Sequence, residues 1–213
     1  MKDGSYFITG IDTDAGKTYC TAWLANLLAK QGKRVITQKF IQTGNSGRSE
    51  DIETHRRLMN LGMLPEDNDG LTAPIIFSYP ASAQLAARID GKEIELSKID
   101  IAREELERRY DVVLIEGAGG LMVPLTDTYF AIDYARERNL PVILVTNSRL
   151  GSINHTVLSL EAIKNRGLNL AAVLYNSFFD KDPQISSDTR AFIGRYVERH
   201  FPGVSVLDVP TME

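Results

Sequence analysis

The stretch from Gly10 to Thr18, GIDTDAGKT, constrains the fold of this chain more than any other feature. It follows the apolar, β-rich run Tyr6–Thr9 and precedes a helical pattern over Thr18–Lys30. Glycine lets backbone N–H groups converge on an anion at such a junction. Lys17 then adds a positive charge near the outer phosphates, and the Thr18 hydroxyl can ligate Mg²⁺. Five residues separate the two glycines, one more than in the common phosphate loop, so a variant P-loop is predicted.

Short apolar runs alternate with helical patterns along the rest of the chain. The predicted strands are Tyr6–Thr9, Arg34–Gln38, Val112–Ile115, Val142–Val145, Ala171–Tyr175 and Val204–Leu207. The predicted helices are Thr18–Lys30, Lys98–Arg109, Thr128–Arg138 and Ile153–Arg166. Continuous apolar runs are typical of strands buried on both faces of a parallel sheet. The pattern predicts one α/β domain over residues 1–213, with a doubly wound, mostly parallel sheet flanked by helices, as in P-loop NTPases.

The region Gly44–Pro80 has the least regular pattern, and its acidic segment Pro65–Gly70 is expected to be an exposed loop. No Pro/Ser/Gly-rich linker or internal repeat divides the chain. We therefore expect the functional residues to lie at the carboxyl ends of the strands, where ligands bind in open α/β sheets.

Composition restricts the partners and the compartment. The formal net charge of −4 argues against nucleic-acid binding as the main activity, because affinity for the phosphate backbone comes from clustered Lys and Arg. No apolar run approaches the roughly 20 residues that span a bilayer, and the first residues show no signal-segment pattern. The single cysteine, Cys20, excludes an intrachain disulfide and favours a reducing compartment. We expect a cytoplasmic protein without a membrane partner, in which Cys20 is a packed apolar residue.

Two further strand ends carry polar residues. Lys39 ends the second predicted strand, and Glu116 follows Val112–Ile115 and enters a glycine-rich turn. Glu116 could hold Mg²⁺, which binds a few carboxylates together with substrate phosphates. Asp51, which follows the Lys39 segment, is a second candidate carboxylate for the same ion.

The histidines show no comparable pattern. His55, His155 and His200 have no spacing to cysteine, histidine or carboxylate residues that indicates a metal cage, so they are expected to be non-catalytic.

Taken in order, the motifs resemble those of the dethiobiotin synthetases over nearly the whole chain. The matching segments are the long phosphate loop, Lys39 with Gln42–Gly44, Glu116–Gly120, Pro124–Leu125, Leu140–Val145 and Leu150–His155. The resemblance implies an ATP-dependent ring closure in biotin synthesis. In that reaction 7,8-diaminopelargonate (7,8-diaminononanoate) takes up CO₂ as a carbamate, the carbamate attacks the γ-phosphate of ATP, and the second amine closes the ureido ring with loss of phosphate. Such chemistry depends on positioning and on cationic stabilisation, and needs no side-chain nucleophile.

The resemblance also implies roles for individual residues. Lys39, Lys17 and Thr13 would be catalytic, and Thr18, Asp51 and Glu116 would hold Mg²⁺. The nucleotide would contact Asp14, Ala15, Gly16, Lys17, Thr18, Tyr19, Glu116 and Asn176. The substrate would contact Thr13, Thr43, Gly151, Ser152, Ile153 and Asn154. The last four residues open a helix, whose free N–H groups suit a carboxylate, and in the family they act across a homodimer interface, so that each site is composite.

The chain departs from the family pattern at two places near the expected diamine pocket. Phe40 stands where a proline commonly follows the lysine, and Ala83-Gln84 stands where a proline–histidine pair is frequent. The chain also ends soon after Pro210, which leaves few residues for recognition of the base. Neither of the first two departures removes a predicted phosphate or metal ligand.

Two alternatives share the fold class. Amidoligases of the cobyrinic acid diamide synthase type add a glutamine-hydrolysing domain with a cysteine nucleophile, whereas here Cys20 lies in a predicted helix. Partitioning-type ATPase switches carry a signature lysine four residues before the final glycine of the loop, where this chain has Asp12. An acidic residue there would repel phosphates, which disfavours the switch.

Overall fold

Six parallel strands form the central sheet of the computed structural model, which describes residues 1–211. The strands are β1 (Gly4–Gly10), β2 (Val35–Lys39), β5 (Val112–Gly120), β6 (Val142–Asn147), β7 (Leu170–Asn176) and β8 (Ser205–Val209). Their order in the sheet is β2-β5-β1-β6-β7-β8, and every pairing between neighbours is parallel. Two short strands, β3 (Gln42–Thr43) and β4 (Ile76–Phe77), pair separately and also in parallel.

Eight α-helices connect the strands in the described residues. They are α1 (Lys17–Lys30), α2 (Glu50–Leu58), α3 (Pro65–Asn68), α4 (Ala83–Ile89), α5 (Leu96–Arg109), α6 (Ala131–Glu137), α7 (Ser152–Asn165) and α8 (Pro183–His200). A 3₁₀ helix, Ser177–Phe179, follows β7. None of the helices within residues 1–211 has the length and apolar character needed to cross a membrane.

The core has two layers, one on each face of the sheet. Successive strand residues point to opposite faces, and Phe7 accordingly belongs to one buried cluster while Ile8 belongs to the other. In the same way, Ile115 belongs to the cluster of Phe7 and Leu114 belongs to the cluster of Ile8. Helix α1 covers the second face, where Cys20 is fully buried, as the sequence predicts. Helices on both faces confirm the predicted doubly wound sheet.

All six predicted strands are present, but three expectations from the sequence are wrong. Glu116–Gly120 is the end of β5 and not a turn. The segment Pro65–Gly70 is exposed over most of its length, as expected, but it contains helix α3, and within it the side chain of Asp67 is only 1% exposed and pairs with Arg56. The predicted helix Thr128–Arg138 begins only at Ala131, since the preceding residues form a turn closed by an antiparallel bridge between Pro124 and Phe130.

Candidate active site

The candidate site lies at the carboxyl ends of β1, β2 and β5. These strands are adjacent and parallel, and the register places Glu116 beside Ile8 on one side and Lys39 on the other. Carboxyl ends of parallel strands meet at the same edge of the sheet. The topology therefore brings the phosphate loop, Lys39 and Glu116 together, although they are far apart in sequence.

The phosphate loop depends on glycine at both of its ends. Gly16 caps α1 in the left-handed conformation with φ of 89°, which L-residues adopt only at a cost. A Cβ atom built on Gly16 would lie 2.1 Å from the Nδ2 atom of Asn176. At Gly10 a Cβ atom would lie 3.0 Å from the carbonyl oxygen of Asp12. The tight loop therefore requires the absence of a side chain at Gly16 and leaves little space for one at Gly10.

Lys17 is folded back over the loop that precedes it. Its Nζ donates to the carbonyl oxygens of Asp12 at 3.1 Å and Thr13 at 3.0 Å, and the residue is only 5% exposed. Burial lowers the pKa of Lys17 to about 8. The negative charge of Glu116 acts in the opposite direction and raises this pKa, while the positive charge of Lys39 lowers it further. An anion bound in the loop would supply the negative charge that this buried ammonium lacks.

Four side chains form a compact charged cluster beside the loop. The Nζ atom of Lys39 lies 2.5 Å from Asp51 Oδ2 and 2.8 Å from Glu116 Oε1. The hydroxyl oxygen of Thr18 lies 3.0 Å from Asp51 Oδ1 and 3.1 Å from Glu116 Oε1, and these two acceptors share its single hydrogen atom. The structure thus brings together the hydroxyl and both carboxylates that the sequence predicted as metal ligands, with the predicted catalytic lysine between the carboxylates.

Both partners of the central ion pair remain charged despite deep burial. Burial raises the pKa of Glu116, but the charge of Lys39 and the hydrogen bonds from His55 and Lys39 lower the pKa by more, so that the net shift is downward. Burial lowers the pKa of Lys39, but Glu116 and Asp51 more than compensate, so that the net shift is upward. The cluster is therefore an ionised site in which opposite charges replace water.

His55 also contacts this cluster, and the sequence analysis did not predict this contact. Its Nε2 atom lies 2.7 Å from Glu116 Oε2, and the residue is fully buried. Asp51 and His55 stand four residues apart on α2, and this spacing places them on one face of the helix. That spacing was the available signal, but it has meaning only once α2 is known to be a helix.

Two cavities adjoin at the site. The first, of about 450 Å³, is lined by the charged cluster and the phosphate loop, including Asp14 and Gly16. The second, of about 460 Å³, extends toward Pro80–Ala83 and Val123. The residues shared by both linings are Thr13, Thr43, Ala118 and Gly119. A charged cavity therefore opens into a less polar one past two threonine residues.

The other predicted nucleotide contacts surround the loop. Ala15 is buried, and its carbonyl oxygen accepts a hydrogen bond of 3.2 Å from Asn176 Nδ2. Asn176 ends β7, as predicted, and its Oδ1 also accepts from the backbone of Phe178. Tyr19 donates its hydroxyl to the carbonyl oxygen of Pro210 at 2.7 Å. Asn176 therefore bridges the loop and the end of β7 on the side opposite to the charged cluster.

The predicted carboxylate-binding residues lie outside both cavities. Gly151 caps α7 with φ of 92°, and Ser152, Ile153 and Asn154 form its first turn. None of the four lines either cavity. Within this chain, the structure does not bring this helix terminus to the charged cluster.

The donor atoms at the cluster suit Mg²⁺. Thr18, Asp51 and Glu116 supply only oxygen ligands, and Mg²⁺ typically takes one or two carboxylates and completes its shell with phosphate oxygens and water. No group of three or more His, Cys, Asp or Glu side chains in residues 1–211 forms a self-contained metal cage. The site therefore fits a cation that binds together with a phosphate ligand.

The fold and this loop define a P-loop nucleotide-binding protein, and comparisons with known proteins specify the family. The family model described as "AAA domain" matches residues 4–207. A protein from Pasteurella multocida named ATP-dependent dethiobiotin synthetase BioD 2 is 47% identical over 197 residues, 92% of each chain. A protein from Chlorobaculum tepidum named ATP-dependent dethiobiotin synthetase BioD is 46% identical over 212 residues, 99% of this chain and 89% of the relative. This chain belongs to the dethiobiotin synthetase family.

Solved structures share the fold at low sequence identity. A ParA family ATPase from Chlorobium tepidum superposes with a TM-score of 0.56 at 16% identity, over 100% of this chain and 86% of the other. A putative plasmid partition protein from Borrelia burgdorferi, bound to AMPPNP, gives 0.57 at 14% identity, over 99% and 88% of the two chains. These values confirm the predicted P-loop NTPase architecture and carry no information on activity.

Proposed function

We propose that this protein closes the ureido ring of dethiobiotin from 7,8-diaminopelargonate, CO₂ or bicarbonate, and ATP. The observation that carries the proposal is the junction of the two cavities at Thr13 and Thr43. A phosphate-binding cavity with two lysines opens there into a less polar cavity that suits an aliphatic diamine. Family membership supports the same reaction, since the relatives are named ATP-dependent dethiobiotin synthetases.

The reaction places opposite demands on the two cavities. One amine of the substrate adds to CO₂ and loses a proton to give a carbamate, whose oxygen then attacks the γ-phosphorus of ATP and displaces ADP. The second amine attacks the carbonyl carbon of the resulting carbamic–phosphoric anhydride, inorganic phosphate leaves, and the ureido ring closes. In the phosphoryl transfer, the anionic carbamate and the anionic γ-phosphate must be held close together. In the ring closure, the second amine must be held near the carbonyl carbon of the anhydride.

The side chains at the junction fit these steps. Lys39, held between Asp51 and Glu116, would neutralise the carbamate and the transferring phosphoryl group, and Lys17 would contact the outer phosphates. Thr13 and Thr43 would donate hydrogen bonds to the carbamate or the diamine. These roles need positioned cations and donors rather than a nucleophile, and Cys20 is fully buried, with a pKa that burial raises strongly.

Mg²⁺ would be held by Thr18, Asp51 and Glu116 and would supply positive charge to the phosphates of ATP. Asn176 and the loop residues Asp14–Tyr19 would hold the nucleotide. Lys39 pairs with both carboxylates, and the negative phosphates of ATP would add the charge that a further cation balances.

The active site would be composite. Gly151–Asn154, at the amino terminus of α7, would bind the carboxylate of the substrate bound in the partner protomer, and this is consistent with its absence from both cavities. The protein would act as a cytoplasmic homodimer. Mixing of Lys17→Ala with Asn154→Glu protomers should restore activity, because one site in each mixed dimer is then intact. Mixed dimers that form but stay inactive would contradict the composite site.

The reaction itself is tested by the fate of the carboxyl carbon. The purified protein with ATP, Mg²⁺, isotopically labelled bicarbonate and the diamine should yield dethiobiotin that carries the label in its ureido carbonyl group, as measured by mass spectrometry. A substrate in which one amine is acetylated is the control and should give no ring. The absence of labelled dethiobiotin from the complete mixture would refute the proposal.

A further inference from the structure

His55 is a fully buried residue to which the proposed chemistry gives no role. It belongs to α2, and its Nε2 atom lies 2.7 Å from Oε2 of Glu116. The carboxylate of Glu116 has its other oxygen, Oε1, directed at Thr18 and Lys39. His55 thus contacts one oxygen of the Glu116 carboxylate, while Thr18 and Lys39 contact the other.

We propose that His55 is a positioning residue that fixes the orientation of the Glu116 carboxylate toward the metal ion. This role rests on the proposed function, which makes Glu116 a ligand of Mg²⁺. An ionised carboxylate can only accept hydrogen bonds, so the hydrogen atom must be on Nε2 of the ring. The donated bond to Oε2 restricts rotation of the carboxylate and leaves Oε1 available at the cluster. Partners of this kind, one shell outside the metal, commonly orient carboxylate ligands.

Helix α2 couples both carboxylates of the site. Asp51 in its first turn accepts a hydrogen bond from Thr18, and His55, one turn later, holds Glu116. The next residue, Arg56, anchors the helix through hydrogen bonds to Thr37 on β2. One rigid element therefore supplies one predicted ligand directly and orients the other across the sheet.

Packing alone does not explain a histidine at this position. The Nδ1 atom of His55 is buried and has no hydrogen-bond partner within residues 1–211, and buried polar atoms without partners are rare because they cost free energy. An apolar side chain of similar size would fill the space without that cost. The hydrogen bond from Nε2 to Glu116 is what such a side chain would remove.

The test compares three variants in binding assays that do not depend on turnover. His55→Leu removes the donor, whereas His55→Gln restores an N–H donor at a similar distance from the backbone. Ile52→Ala is the matched control, since Ile52 is also buried on α2, at 2% exposure, and no side-chain hydrogen bond joins it to the cluster. The dissociation constant of a non-hydrolysable ATP analogue is measured with Mg²⁺ and with EDTA. The electron paramagnetic resonance spectrum of Mn²⁺ bound in the nucleotide complex reports separately on the ligands of the metal ion.

His55→Leu should weaken binding of the Mg²⁺–nucleotide complex about 10- to 100-fold, leave binding in EDTA unchanged and alter the Mn²⁺ spectrum. His55→Gln should recover most of the affinity, and Ile52→Ala should destabilise the protein without this metal-dependent loss. Equal losses in His55→Leu and Ile52→Ala, or no loss in His55→Leu, would overturn the positioning role alone. Wild-type binding that is independent of Mg²⁺ would overturn both this role and the proposed metal site.

Discussion

Substitution of Gly16 by alanine tests the packing of the phosphate loop against Asn176. The alanine would have to adopt a backbone φ of 89°, and its Cβ atom would lie 2.1 Å from Asn176 Nδ2. The left-handed conformation costs about 1–2 kcal/mol for an L-residue. Displacement of Asn176 also breaks its hydrogen bond to Ala15, and a buried amide without a partner costs about 1–3 kcal/mol more. We therefore expect Gly16→Ala to destabilise the protein by about 2–5 kcal/mol.

Gly32→Ala is the matched control for the backbone contribution. Gly32 has a similar φ of 85°, but nothing lies within 4 Å of the position of its Cβ atom. It should therefore lose only about 1–2 kcal/mol. Urea unfolding followed by circular dichroism measures both values, and the difference between the two variants isolates the contact with Asn176.

A double-mutant cycle separates the clash from other effects of the substitution. Asn176→Ala removes the atom that the new methyl group would meet, so Gly16→Ala should cost less in that background than in the wild type. The coupling free energy should be about 1–3 kcal/mol. Equal losses for Gly16→Ala and Gly32→Ala, together with an additive cycle, would refute the inferred packing of the loop.

Three further predictions follow from buried groups. Lys39→Ala should lower turnover about 10²- to 10³-fold and leave nucleotide binding largely intact. Lys33→Ala, which removes a surface ion pair with Asp3, is the control and should not lower turnover. Near wild-type turnover in Lys39→Ala would contradict the role of Lys39. Burial raises the pKa of the Cys20 thiol, so a thiol reagent should modify it only in denaturant, and rapid labelling of the native protein would contradict its burial. Arg56→Ala leaves the buried carboxylate of Asp67 without its cationic partner, so it should lower the free energy of unfolding by about 3–5 kcal/mol, as measured by urea unfolding. A loss below about 1 kcal/mol is typical of an exposed ion pair and would contradict the burial of this one.

The Arg56–Asp67 pair should also make stability depend on pH. Burial raises the pKa of Asp67, but hydrogen bonds from Arg56, the Leu64 backbone and Thr72 lower it further, and the net shift is downward. The folded state therefore binds the proton more weakly than the unfolded state. This contribution to stability is present above the ordinary aspartate pKa of about 4 and is lost as pH falls through the lower folded value. In Asp67→Asn this acid-dependent loss should be smaller than in the wild type.

The central strands of the sheet could be predicted because they are buried on both faces. Runs such as Val112–Ile115 and Val142–Val145 are continuously apolar, and in the structure they are fully buried. The site residues could also be predicted, because Lys39 and Glu116 are charged residues at the ends of predicted strands. Glu116–Gly120 was mistaken for a turn because glycine is rare within strands. Here a Cβ atom at Gly117 would lie 3.2 Å from the carbonyl oxygen of Ile8, so the strand continues at a point of close packing.

Helices with polar buried faces escaped prediction. The buried residues of α2 are Ile52, His55 and Arg56, of which only one is apolar, so a search for apolar periodicity finds no helix there. In α8 the buried residues are Ser186, Thr189, Ile193 and Val197, so only the second half of that helix has an apolar buried face. The buried face of α2 is polar because it meets the charged cluster instead of the apolar core. The missed helix is therefore part of the functional site.

The coupling between ATP cleavage and the diamine tests the central claim most directly. If the two adjoining cavities hold the phosphates and the diamine for one reaction, ADP release should require both the diamine and bicarbonate. One ADP should then appear for each dethiobiotin formed by the purified protein with ATP and Mg²⁺. ADP release at the same rate with and without the diamine would contradict the account.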